Sequence, residues 1–258
     1  MSDVSEDKDK EAGHWYDKQG NPKYTIIGAN GKERNTTLRD AKKEGFVPSV
    51  TTVLNIAAKP SLENWKITQA LNSAVTLKRG EDETLSSFFY RCKKDSKKIT
   101  KAAAERGTII HNLIEDGFNG KADSKVYTLI KEYLDEHFPG EEWIAEDSFC
   151  SELDYGGKID LYSKSGIFVD FKTKDNLEGK KPENLAFDNY GMQLSAYAQG
   201  CGYIDDVERV SIFVDREHTD IIIGHIWDKA SHQKHREMFN SLLSYWKLVK
   251  NYNAPETS

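Results

Sequence analysis

The chain has 258 residues, 38% hydrophobic and 30% charged, which is material enough for one well-filled core or two small ones. No apolar run approaches the roughly 18 residues of a membrane-spanning helix, and the three cysteines, Cys92, Cys150 and Cys201, are too scattered for a disulfide framework or a zinc site. A net charge of −6 speaks against a nucleic-acid partner until it is resolved along the chain. Residues 1–12 carry five acids against two lysines, whereas residues 91–106 carry seven bases against two acids.

Residues 1–13 read as an acidic, disordered tail with no apolar core of a signal peptide, which suggests a cytoplasmic, reducing setting. Residues 14–27 suggest a hairpin around Gly20-Asn21-Pro22. Thr36 or Thr37 can cap a short helix that stops at Gly45. Residues 47–74 suggest two short helices, capped by Ser49 and Ser61 and separated at Pro60. Longer helices are expected from about 96 to 116 and from 123 to 137. The period then changes: residues 143–174 alternate apolar and polar, the signature of strands. An amphipathic helix near 183–200, strands near 207–214 and 220–227 and a helix opening at Asp228 complete the pattern. The order predicts an α/β fold, a central mixed β-sheet flanked by helices with a helical N-terminal region.

The segment from Lys158 to Lys172 carries the chemistry. Ile159 and Leu161 alternate with Lys158, Asp160 and Tyr162; Ile167, Val169 and Phe171 alternate with Phe168, Asp170 and Lys172. The apolar sets share a face only if the loop has an odd length, and Lys164-Ser165-Gly166 fits a three-residue turn with Gly166 left-handed. Paired numbers then sum to 330, and Asp160 meets Asp170 across the ladder. Two carboxylates that close repel unless a proton or a cation sits between them, and Mg²⁺ or Mn²⁺ is the natural bridge. Lys172, two residues beyond Asp170, reaches the same place. Two acids, a hard cation and an ammonium suit phosphodiester hydrolysis; a solvated surface hairpin is the competing reading.

Other residues are ambiguous singly. His111 lies on a helical stretch with Glu115 one turn on; Gln193 and Tyr197, four apart, can pair on one helix face. Lys93, Lys94, Lys97, Lys98, Lys101 and Arg106 form a basic stripe that can track phosphates or simply be solvated. Trp65, Phe88, Phe89 and Tyr90 can stack bases or pack inside.

Together, Arg106-Gly107-x3-His111, Gly156-Gly157-x2-Asp160, Asp170-Phe171-Lys172 and Gln193-x3-Tyr197 resemble, in that order, the RecB-like branch of the PD-(D/E)XK nuclease superfamily. VPSVTTVL at 47–54 is similar to a segment of phage and mitochondrial genome-maintenance exonucleases. The likeness covers roughly residues 47–200. It implies a restriction-endonuclease-like core at 101–258, a mainly helical DNA-binding part at 14–100, and one nuclease domain over 14–258. It further implies His111, Asp160, Asp170 and the main-chain carbonyl of Phe171 as metal ligands and Lys172 as the catalytic lysine. Gln193, Tyr197, Glu146 and Glu115 become supporting residues, and Ser49 and Thr51 are expected at the DNA. Relatives that hold an iron–sulfur cluster use four cysteines, so none is expected here.

The expected activity is a Mg²⁺- or Mn²⁺-dependent DNA exonuclease of bacterial or phage origin, with single strands favoured. A recombination or single-strand-binding protein is a possible partner. The alternatives are a double-strand-specific recombination exonuclease and a nucleic-acid-binding protein whose nuclease site has decayed.

Overall fold

The computed structural model describes residues 13–252, so the expected acidic tail lies, but for Gly13, outside the described residues. The amino-terminal part is assembled from short pieces. Trp15–Tyr16 (β1) pairs antiparallel with Val47–Pro48 (β4), while Thr25–Ile27 (β2) pairs with Glu33–Asn35 (β3). This corrects the hairpin expected over 14–27, of which a single bridge between Tyr16 and Pro22 survives. The reason is burial: Trp15 and Tyr16 are each 2% exposed, and Trp15 packs with Trp246 and Tyr252 of the main core. Burying such rings outweighs the few backbone bonds of an isolated two-stranded ribbon.

Leu38–Glu44 (α1) is bounded as its sequence dictates. Thr37 and Asp40 form a reciprocal capping box, and Gly45 ends the helix with φ of 72°. Ser49 caps Val50–Leu54 (α2) by accepting from the Thr52 amide at 3.0 Å. The next helix, Pro60–Thr76 (α3), starts on the proline itself and takes no cap from Ser61. Proline at the first helical position loses an amide that has no partner there anyway. Leu85–Phe118 (α4) begins well before the expected residue 96, capped by Thr84. Its first turns hide their period behind serines and exposed aromatics, yet Phe88 and Cys92, four apart, are buried.

Lys125–His137 (α5) follows, capped by Ser124. Then come Trp143–Ser151 (β5), Tyr155–Ser163 (β6), Ile167–Lys174 (β7), Asp188–Gly200 (α6), Glu208–Asp215 (β8), Ile222–Ile226 (β9) and Ser231–Val249 (α7). The sheet runs β5-β6-β7-β8-β9, antiparallel except for the β7–β8 pair that α6 connects. This is the expected mixed α/β architecture, and helices cover both faces. On one, Ile110 and Ile114 of α4 and Ile130 and Leu134 of α5 pack on Leu161, Val169, Phe171 and Ile212. On the other, Leu194 of α6 and Phe239 and Trp246 of α7 pack with Tyr155, Ile159 and Phe168.

These clusters expose a break in the strands. Ile159 belongs to the α6–α7 side and Leu161 to the α4–α5 side, although residues two apart in a regular strand share a face. Similarly, Ala145 packs toward α4–α5 and Phe149 toward α6–α7. Both switches fall at one level of the sheet, at Glu146 in β5 and Asp160 in β6. Glu146 adopts φ of 58°, a left-handed conformation that costs a non-glycine residue about 1–2 kcal/mol. The expectation that Ile159 and Leu161 share one apolar face is therefore corrected. The strand rolls over at Asp160.

Candidate active site

The register near the β6–β7 turn follows the sum of 330: Leu161 faces Val169, Tyr162 faces Phe168, and Gly166 has φ of 99°. The ladder stops there. Asp160 and Asp170 come next in that register, but they do not form a ladder pair. Instead the Phe171 amide donates to Asp160 Oδ2 at 2.9 Å, so the carboxylate replaces a strand carbonyl as the acceptor. The opening of the ladder and the roll of β6 are one event, and they free Asp160 from the sheet.

Asp170 is wholly buried. Its Oδ1 accepts from Lys172 Nζ at 2.5 Å and from Gln193 Nε2 at 2.8 Å, while Oδ2 has no hydrogen-bond partner. Burial is the main cause that pushes this carboxyl up to about 6; the charge of Asp160 adds to it, and Lys172 and His111 oppose it. Gln193 Nε2 also donates to the Tyr197 hydroxyl at 2.9 Å, so α6 holds Asp170 through a two-member relay. His111 Nδ1 lies 3.8 Å from Asp160 Oδ2, and its ring meets Phe171 edge-on at 6.1 Å.

Glu146 stands across β5–β6 from Asp160, where it is ion-paired with Lys158. Burial raises its pKa, and the charges of Asp160 and Glu115 add to the effect. The structure thus brings His111, Asp160, Asp170, Lys172, Gln193, Tyr197, Glu146 and Glu115 into one neighbourhood. Two glycines make room for it. A Cβ on Gly156 would lie 2.7 Å from the Tyr16 ring, and one on Gly157 2.7 Å from Phe149 and 2.9 Å from Tyr197.

Among the described residues, no three His, Cys, Asp or Glu side chains stand close enough together to hold a metal ion. The donor chemistry nevertheless fits a hard divalent cation, with two carboxylates, an imidazole and one carboxylate oxygen that nothing else satisfies.

The residues expected at the DNA are divided. Lys93, Lys94, Lys97, Lys98, Lys101 and Arg106 are all exposed along α4. Arg106 also lines a groove of about 410 Å³ with Trp65, Ile99 and Arg216. Phe89 and Tyr90 are 60% and 67% exposed, whereas Phe88 is buried and Trp65 half-buried. Ser49, expected at the DNA, is 3% exposed and is engaged as the α2 cap and with the Thr51 hydroxyl. Lys174 and Tyr190 adjoin Lys172 but belong to none of the sequence motifs. Strand alternation onward from Asp170 and Lys172 is the signal that points to Lys174; nothing comparable marks Tyr190.

No protein-family model and no curated protein matches the chain. Among solved structures, a provisionally named exonuclease from Eubacterium rectale aligns at 13% identity over 57% of this chain and 68% of its own, with a TM-score of 0.39. An alkaline exonuclease from Laribacter hongkongensis aligns at 13% identity over 74% of this chain and 95% of its own, with a TM-score of 0.37. Likeness at this level carries no argument about activity, which must rest on the site itself.

Proposed function

We propose that this chain is a Mg²⁺- or Mn²⁺-dependent deoxyribonuclease of the RecB-like type, an exonuclease that favours single-stranded DNA. The observation that carries the reading is Asp170, a fully buried carboxylate with one oxygen unsatisfied, beside an ammonium and at the point where the sheet opens toward Asp160 and His111. By contrast Asp215, the buried acid that ends β8, has both oxygens bonded, to the amides of Leu177, Glu217 and His218. His111, Asp160, Asp170 and the Phe171 carbonyl would hold the ion, which when bound makes water a better nucleophile and draws charge from the phosphate.

The chain's own groups have separable tasks. Lys172 Nζ holds a water or a phosphoryl oxygen and offsets the negative charge that develops in the transition state. Gln193, itself held by Tyr197, fixes the orientation of Asp170. The exposed lysines of α4 offer a track for phosphates, and Phe89 and Tyr90 offer exposed rings on which unpaired bases can stack, which supports the single-strand preference. Among the described residues no helix is long and apolar enough to cross a membrane.

The test is end-labelled single- and double-stranded DNA with Mg²⁺ or Mn²⁺, comparing the native chain with Lys172→Ala. Loss of a charge-stabilising group of this kind should lower kcat by roughly 10²–10³-fold. Equal cleavage by both proteins sinks the lysine's role. Binding without cleavage under any metal indicates a DNA-binding protein, and cleavage of covalently closed circles indicates an endonuclease.

A further inference from the structure

The cations around the site are more numerous than one reaction centre needs. Lys172 and Lys174 lie two residues apart on β7, on the side that faces α6, so their backbone positions are separated by about 6.6 Å of strand. Both ammoniums sit over one ring: Tyr190 is 5.3 Å from Lys172 Nζ and 5.1 Å from Lys174 Nζ. Lys174 also donates to the Tyr190 hydroxyl at 2.6 Å and lies 5.6 Å from the Phe187 ring.

What Lys174 lacks is an acid of its own. Asp170 is paired with Lys172 and Asp175 with Arg216, but among the described residues no carboxylate pairs with Lys174, whose hydrogen bond goes to the neutral Tyr190 hydroxyl. Burial, followed by the charges of Lys172, Arg216 and Lys180, holds the Lys174 ammonium down at about 8 against the opposing charge of Asp170. A stabilising role alone does not explain a half-buried ammonium that sits beside a second one and has no acid of its own, because such a charge opposes folding. An anion would relieve it.

We propose that Lys174 forms a second anion site that holds the phosphate neighbouring the one under attack, so that the enzyme grips a strand of at least two phosphodiester units. The proposal rests on the nuclease reading and adds a positioning residue to it. Tyr190 shapes the seat: its hydroxyl and ring fix Lys174 where it cannot take the place of Lys172. The ligand class is an oligonucleotide. An isolated phosphodiester would use the reaction centre but leave the second site without a partner.

The test uses the full chain carrying Lys174→Met, which keeps the apolar stem over the rings, and Lys174→Arg, which keeps the charge. First, binding of a short single-stranded oligonucleotide is titrated against salt in EDTA, where no cleavage occurs. The native chain and Lys174→Arg should agree, while Lys174→Met should bind roughly tenfold more weakly, with a salt slope shallower by about 0.7. Second, with metal present, the rate on the oligonucleotide should fall about tenfold further than the rate on bis(p-nitrophenyl) phosphate, chiefly through KM. Equal salt slopes for the native chain and Lys174→Met overturn the proposal and leave the nuclease reading standing. Equal losses on both substrates also overturn it, because they mark a structural role. Absence of any oligonucleotide binding by the native chain removes both readings.

Discussion

Two buried polar clusters sit on the same face of the sheet, and they are finished differently. At the start of β8, Arg209 is fully buried, yet its two terminal nitrogens donate to Ser195, His235, Ser231 and the Asp228 carbonyl, and Nε alone is left over. This network ties α6 to the opening of α7. Toward the end of β7, Asp170 keeps an unbonded oxygen and Lys174 lacks an acid. A buried group without a partner costs about 1–3 kcal/mol; in the first cluster that group is one guanidinium nitrogen beside four hydrogen bonds that join two helices, in the second it is a carboxylate oxygen at the point where the sheet opens. The difference separates polar groups that serve the fold from polar groups held ready for a ligand.

The contrast is broken most directly by exchanging an apolar group into each cluster. Arg209→Met leaves Ser195, His235 and Ser231 without their shared donor and should lower unfolding free energy by about 3 kcal/mol or more, read by urea denaturation. At a temperature where this variant is still folded, DNA cleavage per folded molecule should stay within a few-fold of native. Asp170→Asn should do the reverse: cleavage disappears while the fold survives. If Arg209→Met abolishes cleavage in a fully folded protein, the division between structural and functional cluster is wrong.

Acid should also affect the two clusters with opposite sign. Asp170 has a folded pKa of about 6 against 3.8 unfolded, so its charged form is penalised above pH 6 and the penalty is lifted as pH falls from 6 toward 4. His232 is pushed down to about 4 from 6.5, by burial first and then by the charge of Arg209. The stability it supports is present above pH 6.5 and is lost as pH falls toward 4. Denaturation in EDTA should therefore show Asp170→Asn gaining on the native chain at pH 8 relative to pH 4.5, by roughly 2 kcal/mol. His232→Asn should flatten the acid limb. Parallel pH profiles for native and Asp170→Asn would mean that the carboxyl is not strained by burial.

The legible parts of the molecule are those governed by local rules. Thr37, Asp40 and Gly45 bound α1 by capping chemistry, and Lys164-Ser165-Gly166 set the hairpin register through turn length. Alternation places Asp170 and Lys172 on one side of β7, whereas the ladder pair of Asp160 with Asp170 that it also predicts does not form. What stays hidden depends on packing between segments far apart along the chain. β1 leaves its neighbour for β4 because Trp15 finds Trp246, more than two hundred residues away in sequence. The roll of β6 at Asp160 is invisible to a period-two pattern, since it is a departure from that pattern shared with Glu146 on the next strand. Even the Gly156-Gly157 pair, conspicuous as a motif, shows its physical purpose only against Tyr16, Phe149 and Tyr197.

The smallest effect on the fold should come from the outer face of α4, a third kind of polar region, where charges are solvated and serve neither cluster. Lys93, Lys94 and Lys98 are exposed, and replacing all three with glutamine should change unfolding free energy by no more than about 0.5 kcal/mol per site. If these lysines track the strand, each phosphate left unneutralised should make the slope of log affinity against log salt shallower by about 0.7, about 2 in all. The rate at saturating DNA should stay close to native, because Asp170 and Lys172 are untouched. The discriminating measurement is that salt slope. Were it unchanged in the triple variant while affinity for DNA also held, the basic stripe would be surface charge alone, and binding would have to be sought in the groove beside Trp65 and Arg106.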